Sequence, residues 1–308
     1  MKLGDFLRPN ETGENRTLIE IESAIIEARD DERTAWAEVE EFSRVMQGNL
    51  EMEGYFVEVE GCETEPNMDE MESAFGAAIK SWVQTIERKV KELAARIQAW
   101  LDKQFNKMDE AFWEKNADKA FEDASNCKKD FSMRDWKWTE SSGSEFTATL
   151  KTMVDAFSTK ADSIGNSTKD SDIKGDAAEK GDKLEARLTS AFCNSDYKKK
   201  KSVKLSTLSG EKGNFEKIFK SARADRQALK DAKSELKSIE SNLKKLSSSK
   251  LGEKGGKSLG PIKKDISTAI SFCSKGTSLV MERRANIKTI VGMLVSHTKT
   301  KDSKDKND

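Results

Sequence analysis

The stretch that decides the fold runs from residue 73 to residue 112 and reads SAFGAAIKSWVQTIERKVKELAARIQAWLDKQFNKMDEAF. Its large apolar residues recur at steps that alternate between three and four, which is the spacing of one face of an α-helix. They are Phe75, Ile79, Trp82, Ile86, Val90, Leu93, Ile97, Trp100, Phe105, Met108 and Phe112. This repeat over about five heptads predicts a long helix with a coiled-coil-like seam, and its tryptophans, large for a two-stranded coil, favour a bundle.

Two further long helices are predicted in the C-terminal third of the chain. Apolar residues repeat with helical spacing from Phe215 to Leu246, and again after Pro261, a residue type that is favoured at the first turn of a helix. A Gly-rich loop joins the two segments, so they predict an αα-hairpin. The predicted fold class is therefore all-α, with long amphipathic helices in an elongated bundle or a coiled-coil-like arrangement.

The region near 130–150 fits two local structures. Trp136 and Trp138 lie two positions apart before a Ser/Gly-rich turn, which is compatible with a small β-hairpin. A helix from Glu145 to Thr159 is an equal alternative.

Composition divides the chain into five predicted regions. Residues 1–72 form an acidic helical leader and linker, and a T-x-x-E capping box at Thr17 predicts a helix from there to Phe42. The other regions are a long helix and bundle segment at 73–160, a flexible polar connection at 161–201, a basic helical hairpin at 202–300 and a disordered tail at 301–308.

The most informative feature is the separation of charge along the chain. Residues 1–72 contain 21 acids and 6 bases, whereas residues 73–308 contain 34 acids and 48 bases. The net charge of -1 is thus the sum of a region at -15 and a region at +14. A segregated charge of this kind points to a polyanionic partner for the basic part or to an interaction between the two parts.

Several kinds of catalytic or cofactor site are disfavoured by composition. His297 is the only histidine, which removes Ser/His/Asp triads and multi-histidine metal sites. Cys62, Cys127, Cys193 and Cys273 lie far apart without a CxxC pair, so we expect reduced thiols. The GGKS sequence resembles the end of a P-loop, but Leu251 stands where the first glycine of that motif is required. We expect no enzyme activity, no cofactor and no metal.

No stretch has the roughly 20 continuous apolar residues that a membrane span requires, and the start of the chain lacks a secretory apolar run. The best membrane candidate, residues 266–295, is interrupted by Lys275, Glu282, Arg283, Arg284 and Lys288. We therefore expect no membrane partner, and a pore-forming or membrane-remodelling protein remains only a third alternative.

The lysine run from Lys198 to Lys201 begins a region, ending at Asp308, that contains 28 bases and 12 acids. Such a region is predicted to bind double-stranded DNA without sequence preference, because neutralised phosphates release their condensed counterions. A solvated basic helix face explains the same residues equally well. The candidate DNA contacts are Lys198, Lys199, Lys200, Lys201, Lys244, Lys245, Lys263, Lys264, Arg283 and Arg284.

The N-terminal region carries a resemblance to a known family. The segments MKLGDFLRP and RTLIEIESAIIEA, together with the acidic leader and basic helical body, resemble internal head proteins of large tailed bacteriophages. The resemblance implies that a prohead protease removes the leader after a glutamate preceded by a small or aliphatic residue two positions earlier. The candidate cleavage residues are Gly61, Cys62 and Glu63, and Met68, Asp69 and Glu70.

On this reading the protein is a non-enzymatic structural component of the phage head interior, synthesised in the host cytoplasm. Its expected partners are DNA, other copies of itself or other helical virion proteins, and the prohead protease. The alternative is a cytoplasmic coiled-coil adaptor or scaffold that docks partner helices and keeps its acidic arm.

Overall fold

The computed structural model describes residues 68–105, 122, 124, 127, 130–166, 181–208, 214–248 and 259–304. The helices are α1 (Met68–Phe105), α2 (Ser141–Asn166), α3 (Gly181–Phe192), α4 (Leu205–Leu208), α5 (Asn214–Ser248) and α6 (Leu259–Lys304). Two short strands, β1 (Asp130–Arg134) and β2 (Lys200–Lys204), pair with each other in antiparallel orientation. Most of the described residues are helical, which confirms the predicted all-α class.

Helix α1 follows the predicted apolar seam. Ile86, Val90, Ile97 and Trp100 are buried, Leu93 is half-buried, and the helix packs mainly against α5. Because one face of α1 is apolar and the other carries charged and small residues, the helix is stable only when that face is covered by another helix. The predicted helix is confirmed as far as Phe105, and residues 106–112 of the seam lie outside the described ranges.

Helix α5 is placed between α1 and α2 and also contacts α6. Its buried apolar residues fall at helical spacing, as predicted: Phe215, Ile218, Phe219, Ala222, Leu229, Ala232, Leu236, Ile239 and Leu243. The predicted helix over this segment is confirmed, with bounds of Asn214–Ser248.

Helix α6 differs from its prediction because it is buried on all sides over its central part. The sequence predicts one apolar side, yet the polar residues Ser274, Thr277 and Ser278 are buried as well as the apolar ones. Small hydroxyl residues permit this burial because their side chains bond back to the helix, as when the Thr277 hydroxyl donates to the Ser274 carbonyl oxygen at 2.9 Å. The helix continues to Lys304 and so includes 301–304, a part of the tail that was expected to be disordered.

The predicted hairpin near 130–150 is not formed by neighbouring segments. Strand β1 pairs with β2, with Phe131 opposite Val203, and the Ser/Gly stretch begins helix α2 instead of a turn. The hydroxyls of Thr139 and Ser142 lie 2.9 Å apart at the start of α2, where side-chain oxygens commonly satisfy the first turn. The alternative reading, a helix over Glu145–Thr159, is the one observed.

One hydrophobic cluster extends across the described helices and the strand pair. It includes Val83 of α1, Phe146 of α2, Leu188 of α3, Leu236 of α5 and Ile270 of α6. Segments 73–160 and 202–300, predicted as separate regions, therefore share one core. The region 161–201, expected to be a flexible connection, contains α3 and the start of β2. The Thr17–Phe42 helix, the interhelical loop at 249–258 and residues 305–308 lie outside the described ranges.

None of the helices in the described ranges combines the length and the apolar character needed to cross a bilayer.

Gly276 marks the closest approach of α6 to α2. A Cβ atom placed on this residue would overlap the ring of Phe146, which is itself buried in the core. A second close approach lies at Gly143, where an added Cβ would be 2.9 Å from the Ala228 Cβ of α5. The Phe146 ring and the α5 residues beside Gly143 cannot move away easily in a close-packed interior, so both positions require glycine.

We predict that Gly276→Ala lowers the free energy of unfolding by up to about 2 kcal/mol, because an overpacking cost of about 1–3 kcal/mol against Phe146 outweighs the helix-propensity gain of about 1 kcal/mol. Urea unfolding followed by circular dichroism measures the change. In a Phe146→Leu background, where the ring is absent, the same substitution should be much less destabilising. A stabilised Gly276→Ala variant in the unaltered background would contradict the close approach.

Candidate nucleic-acid interface

The predicted lysine run lies beside the strand pair, and most of its ammonium groups face carboxylates. The Nζ atom of Lys198 is 2.5 Å from Glu185, that of Lys200 is 3.1 Å from Glu282, and that of Lys201 is 2.9 Å from Asp135. Lys199 is exposed and has no acidic partner among the described residues. Three lysines of the run thus form ion pairs that attach the start of β2 to α3, α6 and Asp135. The fourth, Lys199, faces solvent.

The other predicted lysine contacts are placed on helix surfaces. The Nζ atom of Lys244 is 2.9 Å from Glu240 on the same helix, and that of Lys245 is 3.0 Å from Asp162 of α2. Both side chains remain more than half exposed. Lys263 and Lys264 lie near the start of α6, and their side chains are outside the described set.

Arg283 and Arg284 do not lie on the surface, contrary to the sequence prediction. Both are 0 % exposed, so neither guanidinium reaches a DNA phosphate in this structure. Arg283 Nε donates to Asp225 Oδ2 at 3.0 Å, its Nη2 pairs with Oδ1, and its Nη1 donates to the Lys137 carbonyl oxygen at 2.9 Å. The guanidinium also lies over the ring of Phe192, 5.1 Å from its centroid.

A second buried ion pair lies one residue away along α6. Arg134 Nε of β1 donates to Glu282 Oε2 at 2.6 Å, and Arg134 also donates to the Tyr197 carbonyl oxygen. The other oxygen of Glu282 is the one that faces Lys200. We call Arg134, Asp225, Glu282 and Arg283, together with the exposed Lys200 at their edge, the buried ion-pair cluster.

The cluster brings together β1, β2, α5 and α6, and sequence reasoning did not find it. The sequence contains one indication of it: Asp225 lies on the apolar face of α5, between Ala222 and Leu229. An acid on a buried stripe requires a cationic partner. Nothing in the sequence identifies Arg283 as that partner, because the two residues are distant in the chain.

Burial dominates the electrostatics of the cluster. Desolvation raises the pKa of Asp225, and the neighbouring Arg283 opposes this shift. Removing two charges from water costs several kcal/mol, which only close geometry and further hydrogen bonds can offset. The cluster therefore fixes the positions of its helices more than it adds net stability.

A second group of charges connects α3 to α6 near the surface. Glu185 of α3 accepts a hydrogen bond from Lys275 of α6 at 3.1 Å and pairs with Lys198. Although burial alone would raise the pKa of Glu185, the two lysines hold that pKa below its ordinary value. Burial, together with the nearby Glu185 carboxylate, raises the pKa of the Tyr197 hydroxyl to about 12.

Two of the buried cysteines, Cys193 and Cys273, are poor nucleophiles at neutral pH. Burial raises the pKa of the Cys193 thiol to about 11 and raises that of Cys273 further. A thiol reacts as its thiolate, so these two side chains stay protonated and inert. Within the described ranges no group of three or more His, Cys, Asp or Glu residues is arranged to hold a metal ion.

The candidate cleavage residues fall on two sides of the start of α1. Gly61, Cys62 and Glu63 lie outside the described ranges. Met68, Asp69 and Glu70 form the first turn of α1.

Comparison of the chain with protein-family models, curated proteins and solved structures finds no match.

We predict that Asp225→Asn lowers the free energy of unfolding by about 3–5 kcal/mol, because it leaves the buried Arg283 guanidinium without a counter-charge. Asp231→Asn, on the same helix but half-buried, is the matched control and should change it by less than about 1 kcal/mol. Replacing both partners, in Asp225→Leu/Arg283→Met, should restore part of the loss. Urea unfolding that shows equal effects for Asp225→Asn and Asp231→Asn would refute the role of the pair.

The lowered pKa of Glu185 predicts a pH-dependent contribution to stability. A carboxyl whose pKa is lowered by folding stabilises the fold above its ordinary value of 4.5, and this contribution is lost as pH falls through the folded-state pKa. Glu185→Gln should therefore melt below the unaltered protein at pH 7 and converge with it under strongly acidic conditions. The exposed Glu145, which has no basic partner in the described ranges, supplies the control Glu145→Gln, expected to show no such convergence. A melting difference for Glu185→Gln that does not change with pH would rule out the ion pairs as its cause.

Proposed function

We propose that this protein is a non-enzymatic structural component of the head interior of a large tailed bacteriophage. It is made as a precursor, a prohead protease removes the acidic leader, and the basic helical body lies with the packaged DNA. The observation that carries the proposal is the separation of charge, with -15 on residues 1–72 and +14 on residues 73–308.

The separation supplies an electrostatic switch. In the precursor the acidic leader offsets the basic body, so the near-neutral chain can be packed with other helical proteins before DNA enters. Removal of the leader leaves the positive charge of the body uncompensated, and DNA phosphates then provide the counter-charge. No catalytic group is required for this role.

The arrangement of the helical body supports the proposal. Helix α1 begins at Met68, and its first buried core residue among those described is Val83. The apolar cluster is built from α1, α2, α3, α5 and α6 together with the strand pair. A body with these packed helices is suited to survive removal of the residues before α1.

The rival proposal is a cytoplasmic helical adaptor that keeps its acidic arm. One observation favours it: Lys198, Lys200, Lys201, Lys244 and Lys245 each face a carboxylate, which reduces the charge that they offer to DNA. The two proposals differ in whether the mature protein retains its N-terminus.

The cleavage pattern also occurs inside the helical body, and that second match serves as a control because the fold buries it. Ser238, Ile239 and Glu240 match it, but Ile239 is fully buried in the middle of α5 and Glu240 pairs with Lys244. Proteases bind an extended chain, and opening this part of α5 would require breaking the core. The body site should therefore resist the enzyme that removes the leader.

We predict that intact-mass measurement and N-terminal sequencing of the protein from its native source will find a chain that begins at Thr64 or Met71. The same spectra should contain no fragment that ends at Glu240. An N-terminus at Met1 in the mature, functioning assembly would reject the leader hypothesis and favour the adaptor.

A further inference from the structure

The outer face of α5 carries cations and no acid over most of its length. Between residues 223 and 245 the exposed positions are Arg223, Arg226, Gln227, Lys230, Ser234, Lys237, Ser238, Ser241, Lys244 and Lys245. They follow one another at helical spacing and form one continuous strip, which we call the α5 ridge. Six of its ten residues are basic and the other four are neutral and polar.

Three of the four acids of this helix segment lie at contacts with other helices. Asp225 is buried against Arg283, and Glu240 lies at the α1 side, where it is 3.7 Å from Lys91. Glu235 lies at the α2 side, close enough to Lys151 for their charges to interact. The fourth acid, Asp231, is half-buried and accepts a hydrogen bond at 2.7 Å from Gln227 of the ridge. No acid is therefore among the exposed residues between 223 and 245, whereas six cations are.

The geometry of the ridge suits a phosphate backbone. Arg223, Lys230, Lys237 and Lys244 recur every seven residues, so they form a nearly straight row with a spacing of about 10 Å and a length of about 32 Å. The hydroxyls of Ser234, Ser238 and Ser241 lie between them, and such groups commonly donate hydrogen bonds to phosphate oxygens. The ridge carries no aromatic residue and only two arginines, so it is poorly equipped to read bases.

The ridge differs from the lysine run in how its charges are used. Lys244 and Lys245, at its C-terminal end, pair with Glu240 and Asp162, as three lysines of the run pair with Glu185, Glu282 and Asp135. Lys230 and Lys237, at its centre, have no acidic partner among the described residues. A cation already paired with a carboxylate gains little when it approaches a phosphate. The centre of the ridge therefore presents positive charge that is more available than that of the lysine run.

We propose that the α5 ridge is the surface on which this protein binds the phosphate backbone of duplex DNA, without sequence preference. This inference rests on the proposed function, since it names the surface by which the basic body meets packaged DNA. The long helix acts as a rigid support, and the counterions released from the contacted phosphates drive the association.

The test compares two double variants of the full-length chain that remove the same charge. Lys230→Gln/Lys237→Gln alters the ridge, and Lys199→Gln/Lys204→Gln alters exposed lysines at the two ends of β2. Fluorescence anisotropy with a random-sequence 25-base-pair duplex is recorded from 25 to 200 mM salt. Low salt is included because the acidic residues before α1 weaken the attraction of the full-length chain for DNA.

The ridge variant should bind about ten-fold more weakly than the unaltered chain, and the slope of log K against log salt should fall by close to 2, as expected for two lost phosphate contacts. The control variant should change affinity by less than about three-fold through its general loss of charge. Circular dichroism should show the same helix content for all three proteins, because all four lysines are exposed.

Three results would overturn the inference, and they separate it from the proposed function. Binding lost in the control variant and kept in the ridge variant would move the DNA surface to β2 and the lysine run at its start, and leave the proposed function standing. Absence of DNA binding at 25 mM salt would count against both. Binding of poly-glutamate through the ridge without binding of DNA would identify an acidic protein surface as its partner.

Discussion

The buried pairing of Arg283 with Asp225 and of Arg134 with Glu282 is the constraint on which the described fold depends. Charged groups at 0–5 % exposure are tolerated only when their partners are held at hydrogen-bonding distance. Two elements distant in sequence must therefore meet α6 at adjacent residues, with α5 supplying Asp225 and β1 supplying Arg134. An apolar core alone would allow helices to slide or rotate, whereas these pairs allow one register.

The same constraint explains why α6 is central and why the short strand pair exists. Once Glu282 is buried, both of its oxygens are directed to cations, one from β1 and one from β2. The antiparallel ladder between Asp130–Arg134 and Lys200–Lys204 holds Arg134 and Lys200 at the same end, opposite each other. A two-stranded pair is marginal by itself, so its attachment to the bundle through Glu282 contributes to its stability.

Acidic and basic side chains of the bundle differ in where they lie. Several acids of the bundle are used at contacts between elements, as with Glu185 between α3 and α6 and Glu240 between α1 and α5. Between residues 223 and 245 the exposed side of α5 is left basic. A protein proposed to lie among DNA phosphates would gain from this arrangement, because acids at helix contacts do not oppose the polyanion at the outer face.

The sequence by itself determined the long helices, because the three- and four-residue spacing of apolar groups is local information. It predicted α1 as far as Phe105, the span of α5 and the all-α class. It also determined the separation of charge between the start of the chain and the body. The partner of β1, the burial of Arg283 and Arg284 and the ion pairs of the lysine run were decided only by the tertiary structure. Each depends on residues far apart in the chain, and a one-dimensional pattern of lysines and arginines cannot distinguish a cation that faces solvent from one that faces a buried carboxylate.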